Sequence, residues 1–283
     1  MSETSTLISA SALLARLDRS DLPKVVIFDC RHDLANPEFG ASAYAVGHLP
    51  GAHFMHLDRD LSGPLTGLNG RHPLPEARRL AERLAACGVG DDTPVLAYDD
   101  AGGMFAARLW WLLRWLGHEA VAVLDGGVQA FLRAGGALTD AVPESVPRHF
   151  DIRPGLGSVD TGFVMGNLET AEALVIDARS PDRFRGENET LDPVGGHIPR
   201  ARNRFFRDNL ERDGTFKPAG VLRQAFLSVI DDRQASEVIH QCGSGVTACH
   251  NLLAMEVAGL TGSRLYPGSW SEWCADPARP VER

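Results

Sequence analysis

Short apolar runs separated by longer stretches with helical spacing recur along the chain. Val25-Val26-Ile27-Phe28, Val95-Leu96-Ala97-Tyr98, Leu174-Val175-Ile176 and Val238-Ile239 are brief and continuously apolar, the pattern of strands covered on both faces. Between them, Glu76 to Ala86, Met104 to Leu116 and Val221 to Ile230 read as helices. Strands that alternate with helices predict an α/β fold, with mainly parallel sheets flanked by helices. Near the N-terminus, Leu7 to Leu17 reads as a short surface helix packing through Leu7, Leu13, Leu14 and Leu17. It has no basic n-region and does not read as a secretory signal.

The pattern also repeats. Val26-Ile27-Phe28-Asp29-Cys30-Arg31 matches Leu174-Val175-Ile176-Asp177-Ala178-Arg179, and Gly47-His48-Leu49-Pro50 matches Gly196-His197-Ile198-Pro199. Val95 to Asp100 then pairs with Glu237 to Cys242, and Leu124-Asp125-Gly126-Gly127 with Leu265-Tyr266-Pro267-Gly268. Landmarks in one order, at a spacing far beyond that of solenoid repeats, imply duplication of a whole domain. The expected organisation is a first domain over 1–140, a linker over 141–160 rich in Pro143, Pro147, Pro154, Gly155 and Gly157, and a second domain over 161–283. A cleft between such halves is a common place for a small-molecule site.

A net charge of −9 argues against nucleic acid or an anionic membrane as partner, since either needs a basic face. Arg200, Arg202, Arg204 and Arg207 are the best candidate for a local basic patch. No apolar run approaches a membrane span. The five cysteines, 30, 87, 242, 249 and 274, are odd in number and contain no CxxC pair. This disfavours a disulfide framework or structural zinc and suits a reducing cytoplasm.

Chemistry concentrates at Cys242-Gly243-Ser244-Gly245-Val246-Thr247, where an apolar strand ends and helix-like sequence follows. A strand, a glycine-bearing loop and a helix N-terminus aim backbone N–H groups at the first loop atom and favour a thiolate there. The first half aligns Asp100 with this cysteine, which confines nucleophilic chemistry to the second half and leaves the first a structural role. A cysteine-dependent phosphatase needs an arginine six residues after the nucleophile, where Ala248 stands. A dithiol oxidoreductase needs a cysteine at Gly245. His240 lies on the strand, pointing away from the loop, and reads as a partly buried histidine. Cys30, Cys87, Cys249 and Cys274 read as core. Sulfur transfer through a Cys242 persulfide remains.

These motifs resemble the tandem rhodanese sulfurtransferases over roughly Leu7 to Val281. Cys242-Gly243-Ser244-Gly245-Val246-Thr247-Ala248 looks like the loop of 3-mercaptopyruvate sulfurtransferases, and Pro267 to Trp273 like the family's closing signature. The resemblance implies Cys242 as persulfide carrier and Gly243, Ser244, Gly245, Val246 and Thr247 as the loop that holds substrate. It implies Arg183 as a ligand of the donor's carboxylate, and Ser244 with His72 and Asp58 as a polar trio for proton movement. It further implies a small-molecule sulfur donor, a thiol, thioredoxin or cyanide acceptor, and no metal or organic cofactor. His48 and His197 are expected to fix turns, and Asp29 and Asp177 to tie neighbouring backbone.

One departure concerns the donor. Mercaptopyruvate enzymes usually carry a second arginine a few residues after Arg183, and here Glu189-Thr190-Leu191-Asp192-Pro193 puts an acid in its place. The missing cation is either absent or supplied by Arg185, Arg200, Arg202 or Arg204. The neutral Gly243-Ser244-Gly245 favours the monoanionic keto acid over thiosulfate, a compact dianion met in thiosulfate-type rhodaneses by basic side chains in the loop. A relay module that hands persulfide to a protein partner is the alternative to an enzyme.

Overall fold

The computed structural model describes residues 6–19 and 21–283. These divide into two compact units. The first takes the chain up to Gly63, Pro75–Gly155 and Arg212–Phe216; the second takes Pro64–Leu74, Leu156–Glu211 and Lys217–Arg283. Two short segments therefore pack with the unit opposite to their place in sequence. The proline-rich stretch is tied down as far as Gly155. The Arg148 N–H donates to the Ala85 carbonyl at 3.0 Å and the Arg153 N–H to that of Leu116 at 2.9 Å.

The first unit has strands β1 (Leu7–Ile8), β2 (Val26–Asp29), β3 (Ala52–Phe54), β4 (Val95–Tyr98) and β5 (Val121–Leu124), in the order β1-β5-β4-β2-β3. Every pairing is parallel. Its helices are α1 (Ala10–Leu17), α2 (Phe39–Val46), α3 (Ala77–Ala86), α4 (Ala106–Trp115) and α5 (Gly127–Arg133). The central strands β4 and β5 are buried at every position, because helices cover both faces of such a sheet. At the N-terminus the expected single helix is a strand followed by a helix. Leu7 pairs with Val123 at the sheet edge, Leu13 is buried and Leu17 is exposed.

The second unit has β6 (Leu174–Asp177), β7 (Arg202–Asn203), β8 (Val238–Gln241) and β9 (Arg264–Leu265), parallel and in the order β7-β6-β8-β9. Its helices are α6 (Thr161–Thr170), α7 (Pro181–Phe184), α8 (Ala219–Ile230), α9 (Thr247–Val257) and α10 (Ser269–Trp273). This order repeats β3-β2-β4-β5, so the duplication seen in sequence is a duplication of topology.

Side chains repeat with it. Asp29 accepts the Arg31 N–H at 2.9 Å and Asp177 that of Arg179 at 2.9 Å, and each carboxylate also pairs with that arginine's guanidinium at 2.6 Å. His48 stacks on Tyr44 at 3.8 Å between ring centroids and His197 on Phe184 at 3.6 Å. Each histidine's Nδ1 lies 2.8 Å from a main-chain oxygen, of Tyr44 and of Phe184 respectively. Both histidines hold turns.

Strand register corrects one alignment. Asp29 pairs with Tyr98 and Asp177 with Gln241, so the residue matching Cys242 is Asp99 rather than Asp100. Hydrogen bonding agrees: the Asp99 carbonyl accepts the Val128 N–H at 3.0 Å and the Cys242 carbonyl accepts the Trp270 N–H at 3.0 Å. The Asp99 carboxylate takes the N–H groups of Ala101, Gly103, Phe105 and Ala106 at 2.8, 2.8, 2.8 and 2.9 Å. The first unit thus builds the same backbone cradle and fills it with a fixed carboxylate.

The basic patch does not form. Arg202 pairs with Asp231 at 2.6 Å, and Arg200 donates to the Leu168 carbonyl at 2.8 Å. Arg204 is buried over the Phe226 ring, and Arg207 lies over that of Phe206. Each arginine serves a local structural contact. No helix among the described residues is long and apolar enough to cross a membrane.

Candidate active site

β8 delivers Cys242 to the carboxyl end of the second sheet, where reactive groups of parallel sheets collect. The chain turns through 243–246 into α9, and the turn wraps around the sulfur. The N–H groups of Ser244 and Gly245 point at Cys242 Sγ at 3.5 and 3.2 Å, and α9 starts directly behind them, so its dipole adds to the same field. This array stabilises negative charge on sulfur, or on a second sulfur attached to it.

Two residues make the turn possible. Gly245 sits at φ 79°, and a Cβ there would lie 2.4 Å from the Pro267 carbonyl oxygen. Ser269 adopts φ 54°; its hydroxyl donates to the Tyr266 carbonyl at 2.9 Å and accepts the Cys242 N–H at 3.1 Å. Further on, the Ser271 N–H donates to the Gly243 carbonyl at 2.9 Å. The Pro267–Trp273 signature therefore buttresses the loop from below. Val246 and Thr247 lead into the helix, with Val246 buried and Thr247 the first residue of α9.

Ser244 and His72 come together, with 2.7 Å between Ser244 Oγ and His72 Nδ1. The segment carrying His72 is seated on the same signature, since the Arg71 N–H donates to Ser271 Oγ at 3.0 Å. Asp58 lies in the first unit, where its N–H donates to His56 Nδ1 at 3.1 Å and its carboxylate stands 3.9 Å from that nitrogen.

Arg183 reaches the loop from α7. Its guanidinium makes two bonds to Glu189, at 3.0 and 2.8 Å, and a longer one to Asp192 at 3.4 Å. Glu189 is held below the ordinary carboxylate range: burial works against this, but the Arg183 hydrogen bond and the N–H groups of Leu191 and Asp192 outweigh it. Burial pushes Asp192 up, although Arg71 and Arg183 pull it down. Behind them the buried Arg179 lies 4.7 Å over the Trp270 ring. Its own pKa is raised, Asp177 and Glu189 overcoming the opposing effect of burial.

The second cation at the loop is Arg71, which the sequence reading missed. It forms an ion pair with Asp192 through Nη1, and its Nη2 stands 2.8 Å from the place a Cβ on Gly243 would occupy. None of the arginines expected there fills the position. Arg185 pairs with Glu187 at 2.8 Å in solvent, and Arg200, Arg202 and Arg204 are engaged elsewhere. A hint was present in sequence: Arg71 immediately precedes His72.

The other cysteines sort as expected, whereas His240, expected to be partly buried, lies deeper. His240 is fully buried beside Met255 Sδ at 3.0 Å, and burial with Arg204 nearby pushes it down to about 3, so it is neutral. Cys249 donates to the Gly245 carbonyl at 3.2 Å. Burial raises the thiols of Cys30, Cys87 and Cys274, the last to about 11.

Comparison with known proteins agrees with this arrangement. The rhodanese-like domain pattern matches residues 9–134 and again 163–276. A probable 3-mercaptopyruvate sulfurtransferase of Pseudomonas aeruginosa is 47% identical, with 97% of each chain covered. A thiosulfate sulfurtransferase of Mus musculus is 34% identical over 81% of this chain and 78% of its own. The solved 3-mercaptopyruvate sulfurtransferase from Leishmania major superposes with a TM-score of 0.83 at 31% identity, covering 95% of this chain and 74% of that one. With two matching domains and one cysteine cradle built in the second, the chain belongs to the tandem-domain rhodanese family of sulfurtransferases.

Proposed function

We propose that the protein transfers sulfur from 3-mercaptopyruvate to a thiol or cyanide through a persulfide on Cys242. The observation that carries this is the cradle itself: Sγ receives the Ser244 and Gly245 N–H groups, in a loop whose own side chains are uncharged. In the first half-reaction the Cys242 thiolate attacks the donor's thiol sulfur. The S–S bond forms, the donor's C–S bond breaks, and the electron pair leaves on carbon as the enolate of pyruvate. The proton of the donor thiol passes to that carbon, and Ser244 with His72 provides the path. In the second half-reaction an acceptor thiolate attacks the outer sulfur, leaving with it as a new persulfide and returning Cys242 as thiolate. Cyanide leaves as thiocyanate.

Arg183 binds the donor's carboxylate in this reading. Asp58, third member of the implied trio, is tested by Asp58→Asn, which should slow sulfur loading if it assists proton movement. Thiosulfate is the second donor, favoured by two guanidinium groups beside Gly243. In this reading the chemistry belongs to the second unit, which includes Pro64–Leu74 and leaves out Arg212–Phe216. Five free, buried cysteines support a reducing, cytoplasmic location.

Intact-mass measurement after incubation with donor tests the mechanism. Wild type should gain one sulfur atom, and Cys242→Ser none. A wild type that stays unmodified, or a Cys242→Ser protein that gains sulfur, refutes it. Steady-state kcat/KM with both donors decides between them, a clear thiosulfate preference reversing the assignment.

A further inference from the structure

We infer that His32, His56 and Asp58 of the first unit form a binding site for one divalent transition-metal ion of the zinc type. The inference is independent of the Cys242 mechanism and uses no residue of the cysteine loop.

Adjacent parallel strands deliver the two histidines. β2 and β3 pair through Asp29 and Phe54, and the Met55 N–H extends the ladder by donating to the Asp29 carbonyl at 2.9 Å. His32 follows the end of β2 by three residues and His56 the end of β3 by two. Both therefore emerge at the carboxyl edge of the sheet, where the loops of parallel strands converge. Their rings are buried and meet edge-on, with 5.6 Å between centroids. One ligand atom each from His32, His56 and Asp58 lies within 4.8 Å of the other two.

The turn that carries two of these ligands is fixed in advance. The His56 N–H donates to Asp60 Oδ2 at 2.8 Å, and the His56 carbonyl accepts the N–H groups of Asp60 and Leu61 at 2.9 and 3.2 Å. His56 Nδ1 accepts the Asp58 N–H at 3.1 Å, so that nitrogen carries no proton, and Asp58 Oδ2 stands 3.9 Å from it. Donors bound to one zinc ion at about 2.0–2.1 Å stand about 3.3 Å apart in a tetrahedron, so the three need to draw in by at most about 1.5 Å. The ion takes the Nδ1 lone pair in place of the Asp58 N–H. The ring proton sits on Nε2, which is buried without a hydrogen-bond partner among the described residues, 3.9 Å from Glu38 Oε1. A carboxylate beside the second nitrogen is the usual orienting partner of a metal-bound histidine.

The donor set narrows the ion. Two imidazoles and a carboxylate, with no thiolate, suit zinc or a neighbouring transition metal and leave a coordination position for water. Magnesium and calcium take oxygen donors instead. Among the acids around the turn, Glu38 pairs with Arg59 and Asp60 with Arg83, while Asp58 brings its negative charge to the histidines.

The test titrates zinc into the whole chain, stripped with a chelator and kept reduced without added thiol. Isothermal calorimetry should show one ion bound per chain, and the denaturation midpoint should rise with zinc but not with magnesium. Asp58→Asn, at a side chain 42% exposed and so tolerant of change, should weaken zinc binding at least about 10-fold, since even an outer partner of a metal is worth that much. His56→Gln should weaken it by as much or more. Cobalt(II) at one equivalent should give the visible d–d bands of a nitrogen and oxygen set, without the near-ultraviolet band of thiolate coordination. No zinc-dependent rise, an equal rise with magnesium, a thiolate band at one equivalent, or an unchanged affinity in Asp58→Asn each overturns the site.

Discussion

At the scale of single residues, the loop is governed by contacts that tolerate little change. Gly245 has both a left-handed backbone and a carbonyl at 2.4 Å from any Cβ. Gly245→Ala should destabilise the second unit by about 1–3 kcal/mol and weaken the N–H array around Sγ, read as a lower denaturation midpoint with slower persulfide loading. Ser244→Ala keeps the backbone cradle but removes the hydroxyl 2.7 Å from His72. Loss of a positioned proton path costs on the order of a hundredfold, so kcat should fall by about that amount with little change in the denaturation midpoint. Equal activity in Ser244→Ala would remove the Ser244–His72 pair from the mechanism.

At the scale of elements, the two strand-loop-helix units show how one backbone motif serves different ends. Around Cys242 the inward N–H groups meet a sulfur able to change its charge and its bonding. Around Asp99 four N–H groups are saturated by a carboxylate that does neither. Asp99→Asn places an amide where four donors converge, and should cost the first unit about 2 kcal/mol or more, measured by urea denaturation. The neighbouring Asp100 behaves differently. Burial, with Asp99 beside it, pushes Asp100 up from the ordinary aspartate range to about 6. A carboxyl that holds its proton more tightly when folded loses stability as pH rises through that interval, and the deficit is complete above it. Asp100→Asn should accordingly raise Tm at pH 8 and change it much less at pH 4. A Tm gain that is the same at both values would show that charge burial is not the cause.

At the scale of the whole molecule, each unit buries histidines in their neutral form. Burial lowers His53 and His118 in the first unit and pushes His240 in the second down to about 3. Such groups take up protons more readily when unfolded, so stability is present above their unfolded value near 6.5 and is lost as pH falls below it. His240 alone should contribute a loss of about 2 kcal/mol between pH 7 and pH 5. Urea midpoints at the two pH values check this, with His240→Leu expected to show a smaller drop than wild type.

Much of this protein is legible without coordinates. Strand hydrophobicity is a local property, so the αβ alternation, the duplication and the cysteine at the end of β8 can be read from neighbouring residues alone. The same holds for Asp29 and Asp177, each of which takes the N–H and guanidinium of the arginine two residues on. Tertiary structure decided what depends on register and on distant approach. Register moved the counterpart of Cys242 from Asp100 to Asp99, because two adjacent aspartates look alike until hydrogen bonds show which one points into the cradle. Leu7 became a strand residue because β5 offered it an edge, which no local pattern records. The cation beside Gly243 is Arg71, and nothing in its neighbourhood marks it except His72. It reaches the loop because Pro64–Leu74 packs with the second unit, where Asp192 holds it. A buried carboxylate needs a cation but does not specify from where in the chain it comes. Only packing settles that choice.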